Sequence, residues 1–338
     1  MRKSVRLADI AERLQVSTVT VSNALAGQKG VSEELRDKIK KTAQEMGYRV
    51  KPEQGTDEKK VLNIGVIISE MYLGDYPSYY WKVYQELSLL AGSYHCIILF
   101  EILRHDMEES KALPLFVREN KVQGLFVIGE ASNAYLEFLY QKAGIPIMFL
   151  DFMKKDIPVP AVVADNFYGM YKIVNYLIEK GHTRIAYVGT LKASNSITDR
   201  YFGYCKALME HGIEVRQDWV MGDRDKEGQV GNIRLPREMP AAFACNSDLT
   251  AAELIGQLER QGYTVPRDIS VAGFDNYLFE GLCDVRITSY QVDVREMVRS
   301  GIKSMASQIL YGKAPADLRF VSGKLVEKDS VASAKSIG

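Results

Sequence analysis

The chain is short of cysteine. Its four, Cys96, Cys205, Cys245 and Cys283, stand far apart with no Cys-x-x-Cys pair among them. That pattern argues against a disulfide scaffold or a thiolate metal site and fits reduced thiols in the cores of a cytoplasmic protein. Histidine is equally sparse. His95, His105, His182 and His211 are isolated, and there is no His-x-x-x-His, no Gly-x-Ser-x-Gly and no phosphate-cradling glycine loop. No catalytic residue, metal ligand or cofactor is therefore nominated, and an enzyme is not expected. No apolar run approaches the ~18 residues of a membrane helix. Asp9 and Glu12 interrupt any apolar stretch behind Arg2 and Lys3 that could serve as a secretion signal. Neither a membrane partner nor export is expected.

Net charge is missing too, with 43 basic residues against 43 acidic ones. The balance hides an asymmetry. Met1 to Lys51 holds eleven Lys and Arg against six Asp and Glu, so this end is +5 and the remainder −5. A basic small segment ahead of an acidic large one suits phosphate contact at one end only. A length of 338 residues with 46% hydrophobic content leaves room for two or three domains with cores of their own.

What is present begins at Leu7. In LADIAERLQVSTVTVSNAL, Ile10, Ala11 and Leu14 share one helical face, and Ser17 stands where an N-cap belongs. In the next helix Val21 and Leu25 point one way, and Thr18, Val19, Ser22 and Asn23 the other. An apolar back and a small polar front, beside a second short helix, is the pattern of a helix-turn-helix reader in the DNA major groove. A third helix follows, with Ser32 as its cap, Leu35, Ile39, Ala43 and Met46 on one face, and Gly47 at its end. Residues 50–60, VKPEQGTDEKK, have almost nothing to bury and read as a linker.

From Val61 the chain alternates short β-branched runs with helical spacing. VLNIGVIIS, HCIILFEI, VQGLFVIG and PIMFLDF read as strands, separated by helices in YYWKVYQELSLLAG, SKALPLFVREN and NAYLEFLYQKAG. The cycle restarts with GMYKIVNYLIEKGH, RIAYVG, DRYFGYCKALMEHG, AAFACN, DLTAAELIGQLERQG and ISVAGFDN, then a late helix REMVRSGIKSMASQIL and an extended LRFVSGKLVEK. Such alternation predicts parallel sheets covered by helices, here in two halves with a cleft between them. Ligands in such sheets sit beyond the carboxyl ends of the strands.

The segment DIAERLQVSTVTVSNAL with VSEELRDKIKKTAQEMGY, followed by VVADNFYG, LIEKGHTRIAYVG, DRYFGY and SDLTAAELIGQLERQGYTVPRDISVAGFDN, resembles the lactose-repressor (LacI/GalR) family of bacterial transcription regulators over nearly the whole chain. The resemblance implies an all-α helix-turn-helix headpiece (1–50), a linker (51–60) and a two-lobed α/β body like periplasmic sugar-binding proteins (61–338) that binds an effector and dimerises. It implies a sequence-specific regulator, a repressor, whose affinity for a double-stranded DNA operator is set by a small molecule, a sugar first. A purine or other metabolite is the alternative within the same fold; a ligand-binding module without regulatory DNA binding is the alternative outside it.

Carried over by position, the base readers are Thr18, Val19 and Asn23. Phosphate contacts come from the backbone near Leu7 and Ser17, the Ser17 and Ser22 hydroxyls, and Arg36 or Lys38. Many relatives have Arg where this chain has Asn23; Arg pairs with guanine and Asn with adenine. Gln15 replaces a common Gly and costs on the order of 1 kcal/mol if left-handed. The linker lacks the Leu that relatives wedge into the minor groove, so a weak or absent hinge helix and less DNA bending are expected. Effector candidates are Asp151, Arg200, Ser247, Asp248 and Asp275, with an aromatic from Tyr76, Tyr79, Tyr80 and Trp81, of which Tyr80 is chosen. Asp248 has a second reading as a helix cap. Trp219 is a further candidate platform, although its segment is too short for the usual helix. Homodimers are implied because one headpiece reads a half-site. The helices at YYWKVYQELSLL and 110–120 are candidates for the seam.

Overall fold

The computed structural model describes residues 5, 7–25, 31–46, 60–73, 78–225, 228, 230–231, 233–313 and 317–334. Its contacts divide it into two units, Met1–Lys60 and Val61–Gly338.

The first unit is three helices, α1 (Leu7–Leu14), α2 (Thr18–Leu25) and α3 (Glu33–Glu45). Each contributes two fully buried side chains to one small core: Ile10 and Ala11, Val21 and Ala24, Ile39 and Ala43. Leu14, Leu25, Leu35 and Met46 close over it. Gln15 takes φ +52 in the turn, and Val16 N–H donates back to the Ala11 carbonyl at 3.0 Å. Ser17 caps α2, its Oγ accepting from Thr20 N–H at 3.0 Å, and Ser32 caps α3 through Leu35 N–H at 3.4 Å. These oxygens satisfy donors that the first turn leaves free. Gly47, the linker and the expected hinge lie outside the described residues.

The second unit contains two six-stranded sheets. The amino-terminal lobe is built on β1 (Leu62–Ser69), β2 (Cys96–Leu103), β3 (Gly124–Ile128), β4 (Ile147–Leu150) and β5 (Ala161–Ala164). The carboxy-terminal lobe uses β6 (Ile185–Val188), β7 (Val220–Met221), β8 (Ala242–Cys245), β9 (Ser270–Asp275) and β10 (Thr288–Gln291). The extended tail expected as one piece is two strands in different sheets. β11 (Leu318–Val321) pairs parallel with β5, and β12 (Lys324–Val326) pairs antiparallel with β10. All other ladders are parallel, so one sheet is wholly parallel and the other mixed.

The helices are α4 (Tyr79–Ala91), α5 (His105–Ser110), α6 (Leu115–Arg118), α7 (Asn133–Lys142), α8 (Asn166–Glu179), α9 (Asn195–Glu210), α10 (Asp248–Arg260) and α11 (Val294–Tyr311). The single helix expected over 110–120 shrinks to α6, with α5 ending at Ser110 before it. Pro114 precedes α6, and a proline cannot donate within a continuous helix. The chain passes between lobes three times, at Asp165, between β10 and α11, and between β11 and β12. α11 packs on α4, β4 and β5 although it follows a strand of the other sheet.

Two glycines of the quoted motifs explain how α8 and α9 are held. A Cβ on Gly203 of α9 would sit 2.1 Å from the Phe167 carbonyl of α8, and one on Gly169 would sit 2.6 Å from the Phe274 ring of β9. Only glycine permits both approaches.

Candidate effector cleft and DNA-reading face

Asp151 directly follows β4, Asn246 follows β8 and Asp275 ends β9, so the carboxyl ends of strands from both lobes supply the polar groups. Arg200 reaches them from α9. Its Nε donates to Asn166 Oδ1 at 2.9 Å, its Nη1 to the Asn246 carbonyl, and its Nη2 to Asp275 Oδ1 at 3.3 Å. The guanidinium lies 3.8 Å from the centre of the Phe274 ring. Three of its five N–H bonds are thus engaged, and two remain for a ligand. Asn166 is the Asn of the DNFYG motif: Asp165 caps α8 through Tyr168 N–H at 3.1 Å, and Asn166 orients Arg200.

The carboxylates are buried beside this one cation. Burial pushes Asp275 upward, against the pull of Arg200, Lys82 and Arg224. Asp151 is pushed up to about 7, first by burial, with Arg200 opposing and Asp275 reinforcing the rise. Its backbone is left-handed at φ +67, and its Oδ1 is buried with no hydrogen-bond partner. Tyr79 and Tyr80 line the same space. Burial holds both phenols well above their ordinary range, with Asp151 and Asp275 adding to the rise. The Tyr79 hydroxyl and Ser78 Oγ are also buried without partners. Tyr80 packs on Tyr72, ring centres 4.4 Å apart, and Glu130 forms an ion pair with Lys154 at 2.7 Å.

Contacts cross directly from lobe to lobe. Asn195 Nδ2 donates to the Met153 carbonyl at 3.0 Å, and Lys82 of α4 stands 5.5 Å from the centre of the Tyr277 ring.

Tyr80, Asp151, Arg200 and Asp275 therefore come together. Ser247 and Asp248 do other work in this structure. Ser247 is the N-cap of α10, accepting from Thr250 N–H at 3.1 Å, so the cap is this serine and not the aspartate. Asp248 Oδ2 accepts from Tyr277 N–H at 2.9 Å, which ties the start of α10 to the loop after β9. Trp219 is no platform. It is buried in the carboxy-terminal lobe's core, its Nε1 donates to the Glu238 carbonyl at 3.0 Å, and Arg216 covers its ring at 4.1 Å. Tyr76 lies outside the described residues. A cavity of about 390 Å³ lined by Arg234, Leu235, Pro236, Gln257 and Arg260 lies elsewhere on this lobe and shares no residue with the cleft.

Three groups were not legible in the sequence. Asn246 Nδ2 donates to Asp223 Oδ2 at 2.7 Å, and Thr250 Oγ1 donates to the same oxygen at 2.7 Å. Asp223 Oδ1 accepts from Thr190 N–H at 2.8 Å. Burial alone would raise the Asp223 carboxyl; Arg224 and these hydrogen bonds outweigh it and hold it below its ordinary value. Arg224 is the second group and Lys82 the third. No motif marks any of them.

In the headpiece, Thr18, Val19 and Ser22 are exposed and Asn23 is half-buried, all on α2. Val19 is 65% exposed, an unusual state for a valine on a helix that buries its other face. Leu7 opens α1, Ser17 caps α2 and Arg36 lies half-buried in the first turn of α3.

Residues 6–50 match the family model of bacterial regulatory proteins, lacI family, and residues 174–331 match that of a periplasmic binding protein-like domain. The chain belongs to the lacI family. It is 25% identical over 329 residues to the HTH-type transcriptional repressor CytR of Escherichia coli strain K12, an alignment covering 96% of this chain and 95% of CytR. Its fold is similar to that of the transcriptional regulator CelR in complex with cellobiose, at a TM-score of 0.67 and 20% identity, covering 96% of this chain and 99% of CelR. It is similar also to the lac repressor dimer bound to operator and the anti-inducer ONPF, at 0.64 and 21%, covering 98% and 100%. This lacI-family chain is a DNA-binding transcription regulator with an effector-binding domain, and not an enzyme. Among the described residues no helix is long and apolar enough to cross a membrane.

Proposed function

We propose that the protein is a homodimeric repressor that reads a near-palindromic operator through α2 and answers to a sugar-like effector held between the lobes. The observation that carries the effector reading is the set of polar groups aimed into the cleft. Arg200, Asp275 and Asp151 are each less than a tenth exposed, and Tyr79 Oη and Asp151 Oδ1 are buried without partners. An unpaired buried polar atom costs about 1–3 kcal/mol. A polyhydroxylated ligand, donating and accepting at each hydroxyl, relieves that cost at both, with the Tyr72–Tyr80 pair as an apolar wall. That CelR, of similar fold, forms a complex with cellobiose supports a saccharide as the ligand.

Thr18, Val19 and Asn23 read bases, with Asn23 facing an adenine where an Arg-bearing relative would face guanine. Leu7, Ser17, Ser22 and Arg36 position the headpiece on phosphates without reading sequence. Dimerisation through α4 and the edge strand β2 is supported by Leu89, Ile97 and Ile102, which are 75%, 55% and 42% exposed. The lac repressor dimer on its operator supports the same assembly.

The test is an operator selected from random duplexes, followed by anisotropy titration with and without a panel of sugars. The expected result is a near-palindromic operator whose affinity changes at least tenfold with one ligand, a change abolished in Arg200→Ala. A ligand response that survives Arg200→Ala unchanged would remove the cleft from the account.

A further inference from the structure

The three crossings between the lobes are held in two ways. Two of them end in an aspartate with nearly the same backbone, φ −75 and ψ 79 at Asp165 and φ −80 and ψ 76 at Asp293. Each carboxylate caps the helix that follows, accepting from Tyr168 N–H at 3.1 Å and from Glu296 N–H at 2.9 Å. The third crossing, from β11 to β12, leads into a strand and is held by a side chain of β10 instead. Gly323 N–H donates to the Tyr290 hydroxyl at 2.5 Å. On the near side of the same crossing, the Val321 carbonyl accepts from Asp165 N–H at 3.0 Å. Ser322 alone stands between these two ties.

Tyr290 is fully buried, in register with Phe274 of β9 and Leu325 of β12. It meets the other two crossings as well. A Cβ on Gly169, in the first turn of α8 after Asp165, would sit 2.8 Å from Tyr290 Cε1, and one on Gly323 would sit 2.8 Å from the same atom. The second crossing continues Tyr290's own strand to Asp293. The Tyr290 ring centre lies 5.0 Å from that of Phe274, and the Arg200 guanidinium lies 3.8 Å from the same Phe274 ring. Arg200 is also tied to α8 through Asn166. Two packed rings thus join the central cation of the cleft to the residue that fixes the third crossing.

We propose that Tyr290 is a positioning residue that couples the effector cleft to the lobe crossings: its ring backs Phe274 under Arg200, and its hydroxyl fixes the third crossing at Gly323. This rests on the reading of the cleft as the effector site. Rotation of the lobes has to be absorbed by a few backbone angles at the crossings. With Gly323 tied, Ser322 is left to absorb it in the third crossing; without the hydroxyl, Gly323 turns as well. A ligand that moves Arg200 presses on Phe274 and Tyr290, and so biases the crossing on which the lobe arrangement depends. Tyr290→Phe separates the two roles, because it keeps the ring and removes the hydroxyl.

The test reads the lobe arrangement and operator binding separately, on the full chain without sugar. Asn195 of one lobe meets the Met153 carbonyl of the other at 3.0 Å, so the pair Met153→Cys and Asn195→Cys, oxidised with diamide, reports lobes in contact. Single-cysteine variants correct for the native thiols. Tyr290→Phe is expected to slow this trapping about threefold or more, well below a thermal transition measured alongside, and to change operator affinity by a similar factor. Arg200→Lys keeps the charge and loses the fork of donors. It should also change the trapping rate, and by clearly less when Tyr290→Phe is present. No trapping with Tyr290 intact, or a rate unchanged or raised by Tyr290→Phe, overturns the inference. Effects of Arg200→Lys and Tyr290→Phe that simply multiply overturn the link to the cleft. Slowed trapping with operator affinity unmoved supports the tie and counts against the lobes' control of DNA.

Discussion

The headpiece and the body handle polar chemistry in opposite ways. On α2, Thr18, Val19 and Ser22 stand in solvent above a core of six small buried side chains. In the cleft, Asp151, Arg200 and Asp275 are each under a tenth exposed. An exposed reader costs the fold nothing and can be replaced freely. A buried ionic cluster is coupled to stability, because each member satisfies or strains the others. Mutations should therefore separate recognition from folding in the headpiece and entangle them in the body.

The largest expected break of this contrast is Arg200→Ala. It removes the partner of buried Asp275, the anchor on Asn166 and the cation over Phe274. Calorimetry should show the body destabilised by ~3–5 kcal/mol, on the order of 10 °C. A body transition within a degree or two of wild type would mean that the cluster is as replaceable as the headpiece surface.

Asp151→Asn should act in the other direction and with pH. The folded-state carboxyl is raised to about 7, so the native protein holds its proton after the unfolded chain has lost it. The stability this contributes is complete below about pH 4 and is lost as pH rises towards 7. Asn keeps the neutral form throughout. The variant should melt with wild type at low pH and above it at pH 8, the gap on the order of 2–4 kcal/mol. A gap that widens on acidification would reverse the sign and discard the buried-acid account.

Asn23→Ala should leave both thermal transitions in place and relax the operator at one base pair, by ~1–3 kcal/mol of discrimination. An equal loss on all sequences would move Asn23 from the bases to the phosphates. The smallest effect is expected of Ser17→Ala, which removes the cap on Thr20 N–H and should cost the headpiece ~1 kcal/mol. The body transition is the internal control.

The sequence carried much of this, for local reasons. Ser17, Ser32 and the positions of Ile10 and Val21 follow from capping and from the 3.6-residue period, which act within a few residues. Gln15 was recognisable as the turn residue, and it is left-handed. Most strands announced themselves as short β-branched runs. β5, β7 and β10 did not, and are set by their neighbours in the sheet. The tail LRFVSGKLVEK gave no sign that β11 and β12 belong to different sheets, because pairing partners lie more than 30 residues away.

By itself, then, the amino-acid sequence determined the three-helix reader, the α/β alternation and the identity of Arg200, Asp151 and Asp275 as cleft candidates. The helices and the alternation rest on periodicity and capping, which are short-range; Arg200, Asp151 and Asp275 follow from the resemblance to the lactose-repressor family, position by position. Only the tertiary structure decided that Ser247 is a cap, that Trp219 is core, that Asp151 Oδ1 and Tyr79 Oη are buried unpaired, and that Arg200 reaches Asp275 and Asn166 together. Burial and charge proximity are properties of chain segments brought together across the sheets, and no local rule along the sequence encodes them.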